Sequence, residues 1–152
     1  MPITDMHHVV LMVTDLDRSL GFYCGQLGFE LVNRNDDRHG DFLDTVCQAR
    51  GVRLNIALVR GGGEIVELIQ MLSPDGFPSD ADERPFGMAR IGFEVADIEG
   101  TVAELASRGV EFMSEIATVS VGHYAGGKAV FFRDPDGIVL ELQEPAVSGR
   151  VT

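Results

Sequence analysis

From residue 6 to residue 13 apolar and polar positions alternate, so His8, Val10 and Met12 share one face of an extended strand, while His7, Val9, Leu11 and Val13 share the other. Asp15 then stands where a helix cap is needed, with Asp17 in the first turn, where a carboxylate suits the positive end of the helix dipole. Leu16, Leu20, Tyr23 and Leu27 recur at helical spacing and form one apolar stripe. Gly28 is placed to stop that helix, because glycine takes the left-handed conformation without Cβ strain. Residues 29–33 return to an extended pattern.

The same pattern is written a second time. A strand is predicted around residues 90–95, a cap at Asp97, a stripe at Ile98, Val102 and Leu105, a stop at Gly109, and a strand over 110–113. Asp15 and Asp97 are 82 residues apart, and the apolar positions keep that offset. Gly28 and Gly109 are 81 apart, so the second helix is one residue shorter. Each copy continues with a hairpin. In the first, VRLNIALV and EIVELIQM flank Gly61, Gly62 and Gly63; in the second, KAVFF and IVLELQ flank the turn Asp134-Pro135-Asp136-Gly137. The predicted fold is α+β: two βαβββ modules related by a pseudo-twofold, at about residues 5–72 and 88–145, joined by a linker at about 73–87. The two sheets are expected to form one open cleft within a single domain. Residues 35–51 read as a polar, irregular loop with a short helix near 42–49, long enough to act as a lid.

Strand alternation also sorts the polar residues. Val66 and Leu68 in one hairpin, and Ile138, Leu140 and Leu142 in the other, suit packing under the helices, so Glu67 and Glu141 face the opposite way. The first strands put His8 on that same face in one copy and Arg90 in the other. Each copy therefore offers two polar residues at equivalent places: His8 with Glu67, and Arg90 with Glu141. A pseudo-twofold pairing gathers all four. One imidazole and two carboxylates are competent ligands for a divalent transition metal. His7, on the other face, reads as a partly buried structural histidine. His123 and Tyr124 lie between glycines in VGHYAGG, a segment expected to border the cleft. Lys128 and Arg133 read as a solvated face, and His39 carries no signal.

The net charge of −12 argues against nucleic acid and anionic membrane surfaces as partners. No apolar run is long enough to span a bilayer and no signal-peptide pattern opens the chain, so a soluble cytoplasmic protein is expected. Cys24 and Cys47, the two cysteines, are too few for a disulfide framework and read as free thiols.

The stretches HHVVLMVTDLDRSLGFYCGQLGFEL and FFRDPDGIVLELQEP resemble the vicinal oxygen chelate superfamily, which groups glyoxalase I, methylmalonyl-CoA epimerase, fosfomycin-resistance proteins and extradiol dioxygenases. The resemblance spans both modules. It implies metal ligands from the first strand and the last hairpin strand of each module, which here are His8, Glu67, Arg90 and Glu141. Glyoxalase and epimerase members would show His, Glu or Gln at position 90; arginine stays protonated in proteins and cannot ligate a metal. Two arrangements are open. Either His8, Glu67 and Glu141 hold a divalent ion (Zn, Ni, Co, Mn or Fe) with Arg90 turned to an anionic substrate, or Arg90 takes the metal's place and no ion is bound. The resemblance implies a lyase or isomerase acting on a small oxygenated substrate through an enediolate-like intermediate, with Glu141 and Glu67 moving the proton and Arg90, His123 and Tyr124 holding substrate. It also implies a homodimer. Two other readings are a sequestering protein without chemistry, similar to bleomycin-resistance proteins, and an extradiol dioxygenase, which would need His123 as its second histidine.

Overall fold

The structure is a computed structural model that describes residues 7–46, 49–74, 91–118 and 126–146. The chain divides into two compact units, residues 1–84 and 85–152. Unit one runs β1 (Val9–Met12), α1 (Leu16–Leu20), a π-helical turn (Gly21–Gln26), β2 (Glu30–His39), α2 (Asp41–Val46), β3 (Arg53–Gly61) and β4 (Glu64–Ser73). Its sheet has the order β1-β4-β3-β2. Unit two runs β5 (Ile91–Glu94), α3 (Ile98–Ser107), β6 (Ala117–Thr118), β7 (Lys128–Arg133) and β8 (Val139–Glu144), in the order β5-β8-β7-β6. Both units are therefore βαβββ, with the first strand parallel to the last. The predicted linker lies mostly outside the described residues.

The alternation read from the sequence holds. Leu11, Val13, Val59, Val66 and Leu68 are buried in unit one, and Val130, Phe132, Leu140 and Leu142 in unit two. These faces pack against helix residues of their own unit, Leu16 and Tyr23 in one and Ile98 and Leu105 in the other. Glycines 28 and 109 do end the helices, with φ of 78° and 88°. Gly137 closes the second hairpin at φ 82°, beside a buried Asp134 whose Oδ1 accepts from the amides of Asp136 and Ile138.

The extra residue of the first helix has a visible home. After Leu20 the helix widens into the π-helical turn, where the Leu27 amide reaches back five residues to the Phe22 carbonyl. A π turn takes up one residue without shifting the cap or the stop. It also re-aims the buried face, so Ser19 and Phe22 are buried alongside Leu16 and Tyr23, whereas Leu20 and Leu27 are only half-buried.

Both helix starts use the same two devices. Asp15 Oδ1 accepts from the Arg18 amide and Asp97 Oδ1 from the Gly100 amide, each at 3.0 Å. The first helical amide is then taken by a side chain of the last strand: Leu16 N donates to Gln70 Oε1 at 3.1 Å, and Ile98 N to Glu144 Oε2 at 2.7 Å. Each acceptor also has a partner directly across the hairpin. Asn55 Nδ2 donates to Gln70 Oε1 at 3.3 Å, and Lys128 Nζ lies 3.7 Å from Glu144 Oε1. One copy does with amides what the other does with charges.

Three expectations need correction. The strand predicted over 29–33 continues to His39, so residues 35–39 are not loop; two bulges and a positive φ at Asp37 (52°) let an irregular sequence stay paired, with the Asp37 amide held by Asn55 Oδ1 at 2.8 Å. The predicted strand over 110–113 is reduced to a single bridge between Phe112 and Phe132, and the paired edge is β6 instead. The short helix is α2, at 41–46.

The shared capping scheme predicts how Glu144 can be changed. Glu144→Ala orphans the Ile98 amide and is expected to cost about 1–2 kcal/mol. Glu144→Gln keeps the acceptor, as Gln70 does in unit one, and is expected to cost less than half of that. Urea melts of the two variants check this; equal losses would mean the bond to Ile98 contributes nothing.

Candidate functional site

In unit one, the parallel register sets Val10 beside Glu67 and Met12 beside Ile69, and Leu58 lies across the hairpin from Glu67. Paired residues share a face, so this face carries Val10, Met12, Leu58, Glu67 and Ile69. His8, immediately before β1, brings Nε2 to 3.8 Å from Glu67 Oε2. The His8 side chain is 33% exposed and that of Glu67 is 18% exposed, so the pair is accessible yet set in apolar surroundings. Val10 and Met12 keep 36% and 46% of their surface exposed, which leaves an open apolar floor beside the pair.

The far end of this face is roofed. Leu43, Val52 and Leu54 form a buried cluster against which Ala49, Ile56, Ile69 and Met71 pack. The segment bearing α2 thus folds onto the Glu67 face of its own sheet. It is fastened by Asp44, whose carboxylate accepts from the amides of Gly51 (3.1 Å) and Val52 (2.8 Å). Those bonds favour the ionised form and hold the Asp44 carboxyl below its usual value. The lid read from residues 35–51 is, in its second half, a pinned shelf. Cys47 and Gln48 lie outside the described residues.

In unit two, Gly92 lies beside Glu141, as Val10 lies beside Glu67. Leu140 and Leu142 are buried on one face and Glu141 is half-buried on the other. A Cβ added to Gly92 would meet the Glu141 side chain only at ordinary contact distance, 3.9 Å to Oε2. Sequence reasoning passed over Gly92; its equivalence to Val10 was the available signal. Arg90, His123 and Tyr124 lie outside the described residues. Of the predicted ligands, the structure brings His8 and Glu67 together within unit one and sets Glu141 at the position of unit two equivalent to Glu67.

His7 is a correction. It is exposed, and its Nδ1 lies 2.7 Å from His8 Nδ1, with the two rings edge to face at 5.0 Å. Alternation failed there because β1 starts only at Val9, and outside the ladder the chain is free to turn both rings the same way.

The donor set of unit one suits a divalent cation. Ligand nitrogen and oxygen sit about 2.0–2.2 Å from zinc, so two donors can share one ion at separations up to roughly 4.2 Å. The 3.8 Å between His8 Nε2 and Glu67 Oε2 is inside that span. Another acidic cluster, Asp97, Glu99 and Glu144, also has its oxygens within 4.8 Å of one another. Two of its carboxylates cap α3, and Lys128 Nζ already stands against it, 2.7 Å from Glu99 Oε1. That ion pair holds the Glu99 carboxyl below and the Lys128 ammonium above their usual values, so the cluster is a capping network with its cation built in. Arg133 donates to the Gly137 carbonyl, His39 Nδ1 sits 2.7 Å from the Asp37 carbonyl, and burial pushes the Cys24 thiol up.

Comparison with known proteins decides the family. Residues 5–142 match the Glyoxalase/Bleomycin resistance protein/Dioxygenase superfamily. The chain belongs to that superfamily. It is 30% identical over 148 residues to a 2-epi-5-epi-valiolone epimerase of Actinomyces, covering 90% of this chain and 77% of that one. It is 28% identical over 135 residues to a probable lactoylglutathione lyase of Synechocystis, covering 89% and 91%. Among solved structures, a glyoxalase family protein of Bacillus cereus superposes with a TM-score of 0.76 at 25% identity, over 95% of this chain and 96% of the other. The fold and superfamily expected from the sequence are thereby established. Among the described residues no helix is long and apolar enough to cross a membrane.

The shelf yields a pH prediction. The Asp44 carboxyl is depressed in the folded state, so its contribution is present above the ordinary carboxylate value of 3.8 and is lost as pH falls through the lower folded value. Protection of the Gly51 and Val52 amides, corrected for intrinsic exchange, is therefore expected to collapse below about pH 4, ahead of the β3 amides. In Asp44→Asn that protection is expected to be low at neutral pH already. Simultaneous loss in shelf and sheet would show that the shelf does not open by itself.

Proposed function

We propose that this protein is a metal-assisted lyase or isomerase that moves a proton beside a carbonyl of a small oxygenated molecule. The observation that carries the reading is the His8–Glu67 pair, 3.8 Å apart on an open, otherwise apolar face. Superfamily membership and relatives named as an epimerase and a lactoylglutathione lyase support it. We infer that the two units work as one domain and that Glu141 joins His8 and Glu67 as third ligand. That step rests on the repeat, in which Glu141 stands where Glu67 stands. A divalent cation, when bound, polarises a carbonyl and stabilises negative charge on its oxygen.

The chain's own groups do the rest. Glu141 takes the proton from carbon and returns it, and Glu67 shares that work. Val10, Met12, Leu58 and Ile69 keep water off the reacting carbon, which strengthens every charge interaction beside it. Arg90, His123 and Tyr124 are assigned to the substrate's polar end, Arg90 to an anionic oxygen. A second reading, ligand sequestration without chemistry, is favoured by one observation: the exposed apolar surface of Val10 and Met12 beside the pair.

Two measurements test this. Chelator-stripped wild type titrated with zinc, nickel and cobalt is expected to bind one ion per chain and to melt at higher temperature when loaded. Arg90→His adds a nitrogen ligand and removes a positive charge, so it is expected to bind at least tenfold more tightly. Absence of metal uptake by both proteins would end the metal reading. Glu141→Gln is expected to lose turnover by two orders of magnitude or more while keeping ligand binding, since the amide keeps the shape and loses the base. Full activity in that variant on any substrate of the wild type would remove Glu141 from the role.

A further inference from the structure

Two neutral imidazoles cannot face each other nitrogen to nitrogen at 2.7 Å without sharing one proton. One ring must carry hydrogen on Nδ1 and the other must offer a lone pair there. The edge-to-face contact of the rings keeps this bond in place. The outer nitrogen of His8, Nε2, faces Glu67 Oε2 at 3.8 Å. At that distance no hydrogen bond forms, but the negative charge favours an N–H over a lone pair on the nitrogen it faces. With no cation bound, the arrangement this favours has the His8 proton on Nε2, an accepting His8 Nδ1, and His7 as the Nδ1–H donor.

A cation on His8 requires the opposite arrangement. Nε2 must give up its proton and offer its lone pair, so the His8 proton must sit on Nδ1. The partner at Nδ1 must then accept. A backbone amide there would forbid the change and a backbone carbonyl would fix one state only. A second imidazole permits both. We propose that His7 is a positioning residue that reverses its hydrogen bond to His8 when a divalent cation binds, so that the pair holds His8 in the right tautomer in each state.

The protons balance. The bridging proton passes from His7 Nδ1 to His8 Nδ1; His8 Nε2 releases one proton to water, and His7 Nε2 takes one up. Neither ring changes charge. The second half of the proposal rests on the metal reading above, whereas the first half concerns the metal-free chain alone.

The test is nitrogen-15 NMR of the imidazoles at about pH 8, above the ordinary histidine range, on the whole chain with and without zinc. Only four histidines are present, so single substitutions assign the signals. Metal-free wild type is expected to show His7 as Nδ1–H and His8 as Nε2–H. Zinc is expected to invert both, leaving His8 as Nδ1–H and His7 as Nε2–H. His7→Phe keeps a ring and loses the nitrogen, and is expected to bind zinc about 10- to 100-fold more weakly. His7→Asn, whose side-chain amide offers both a donor and an acceptor at that place, is expected to recover most of the loss. The same affinity in His7→Phe as in wild type, or a His7 tautomer unmoved by zinc, would overturn the proposal. If wild type takes up no zinc, the metal reading fails and the metal-free spectrum decides the rest: His7 as Nδ1–H beside His8 as Nε2–H supports the positioning role, and any other pairing sinks it.

Discussion

In each unit the first strand lies parallel to the last, with Val10 beside Glu67 and Gly92 beside Glu141. A parallel pair cannot be closed by a tight turn, so everything between the two strands must form a path out and back. Here that path is a helix and two further strands. The pairing fixes the face of every side chain on both strands at once, because a slip of one residue would send Leu68 and Leu140 outward and the carboxylates into the core. Leu68 and Leu140 are fully buried, and their exposure would cost about 1.5–3 kcal/mol each. The carboxylates are aimed by the leucines beside them.

The same last strand secures the helix. Three residues past Glu67, Gln70 takes the Leu16 amide; three past Glu141, Glu144 takes the Ile98 amide. Since each helix follows the first strand by a short turn, one strand both orients the polar residue and sets where the helix begins. The copies have diverged in how they do it. Asn55 and Gln70 are neutral, whereas Lys128, Glu99 and Glu144 form a charged cluster. The shift of chemistry without a shift of position separates the acidic cluster that caps α3 from Glu141, which faces the other side of the same strand.

Most of the frame was legible in the sequence because it is written twice. The caps, the glycine stops, the hairpin turns and the faces of Glu67 and Glu141 all depend on local rules that a repeat exposes. What escaped depends on contacts at a distance. Residues 35–39 read as loop, and stay in β2 because Asn55 and Arg53 on the neighbouring strand hold the bulge at Asp37. The π-helical turn was visible only as an offset that changed from 82 to 81. Asp44 gave no signal, since its two amide partners lie beyond the helix it belongs to. His7 departs from the alternation because it stands two residues before the ladder begins.

That last error bears on how the site is built. Had β1 begun two residues earlier, strand geometry would have turned His7 to the buried face and left His8 Nδ1 to a backbone group or to water. Ending the ladder at Val9 frees two successive residues from alternation, and both imidazoles turn to one side. The cost is a ladder pair forgone at the end of a four-residue strand, where fraying already makes pairing weak. The gain is a polar group placed by side-chain contact instead of by the sheet. An imidazole fixed only by a strand has one geometry, whereas one whose inner nitrogen meets a second imidazole can hold that hydrogen bond in either direction. The strand end thus gives the His8–Glu67 pair an adjustable element that neither the sheet nor the shelf supplies.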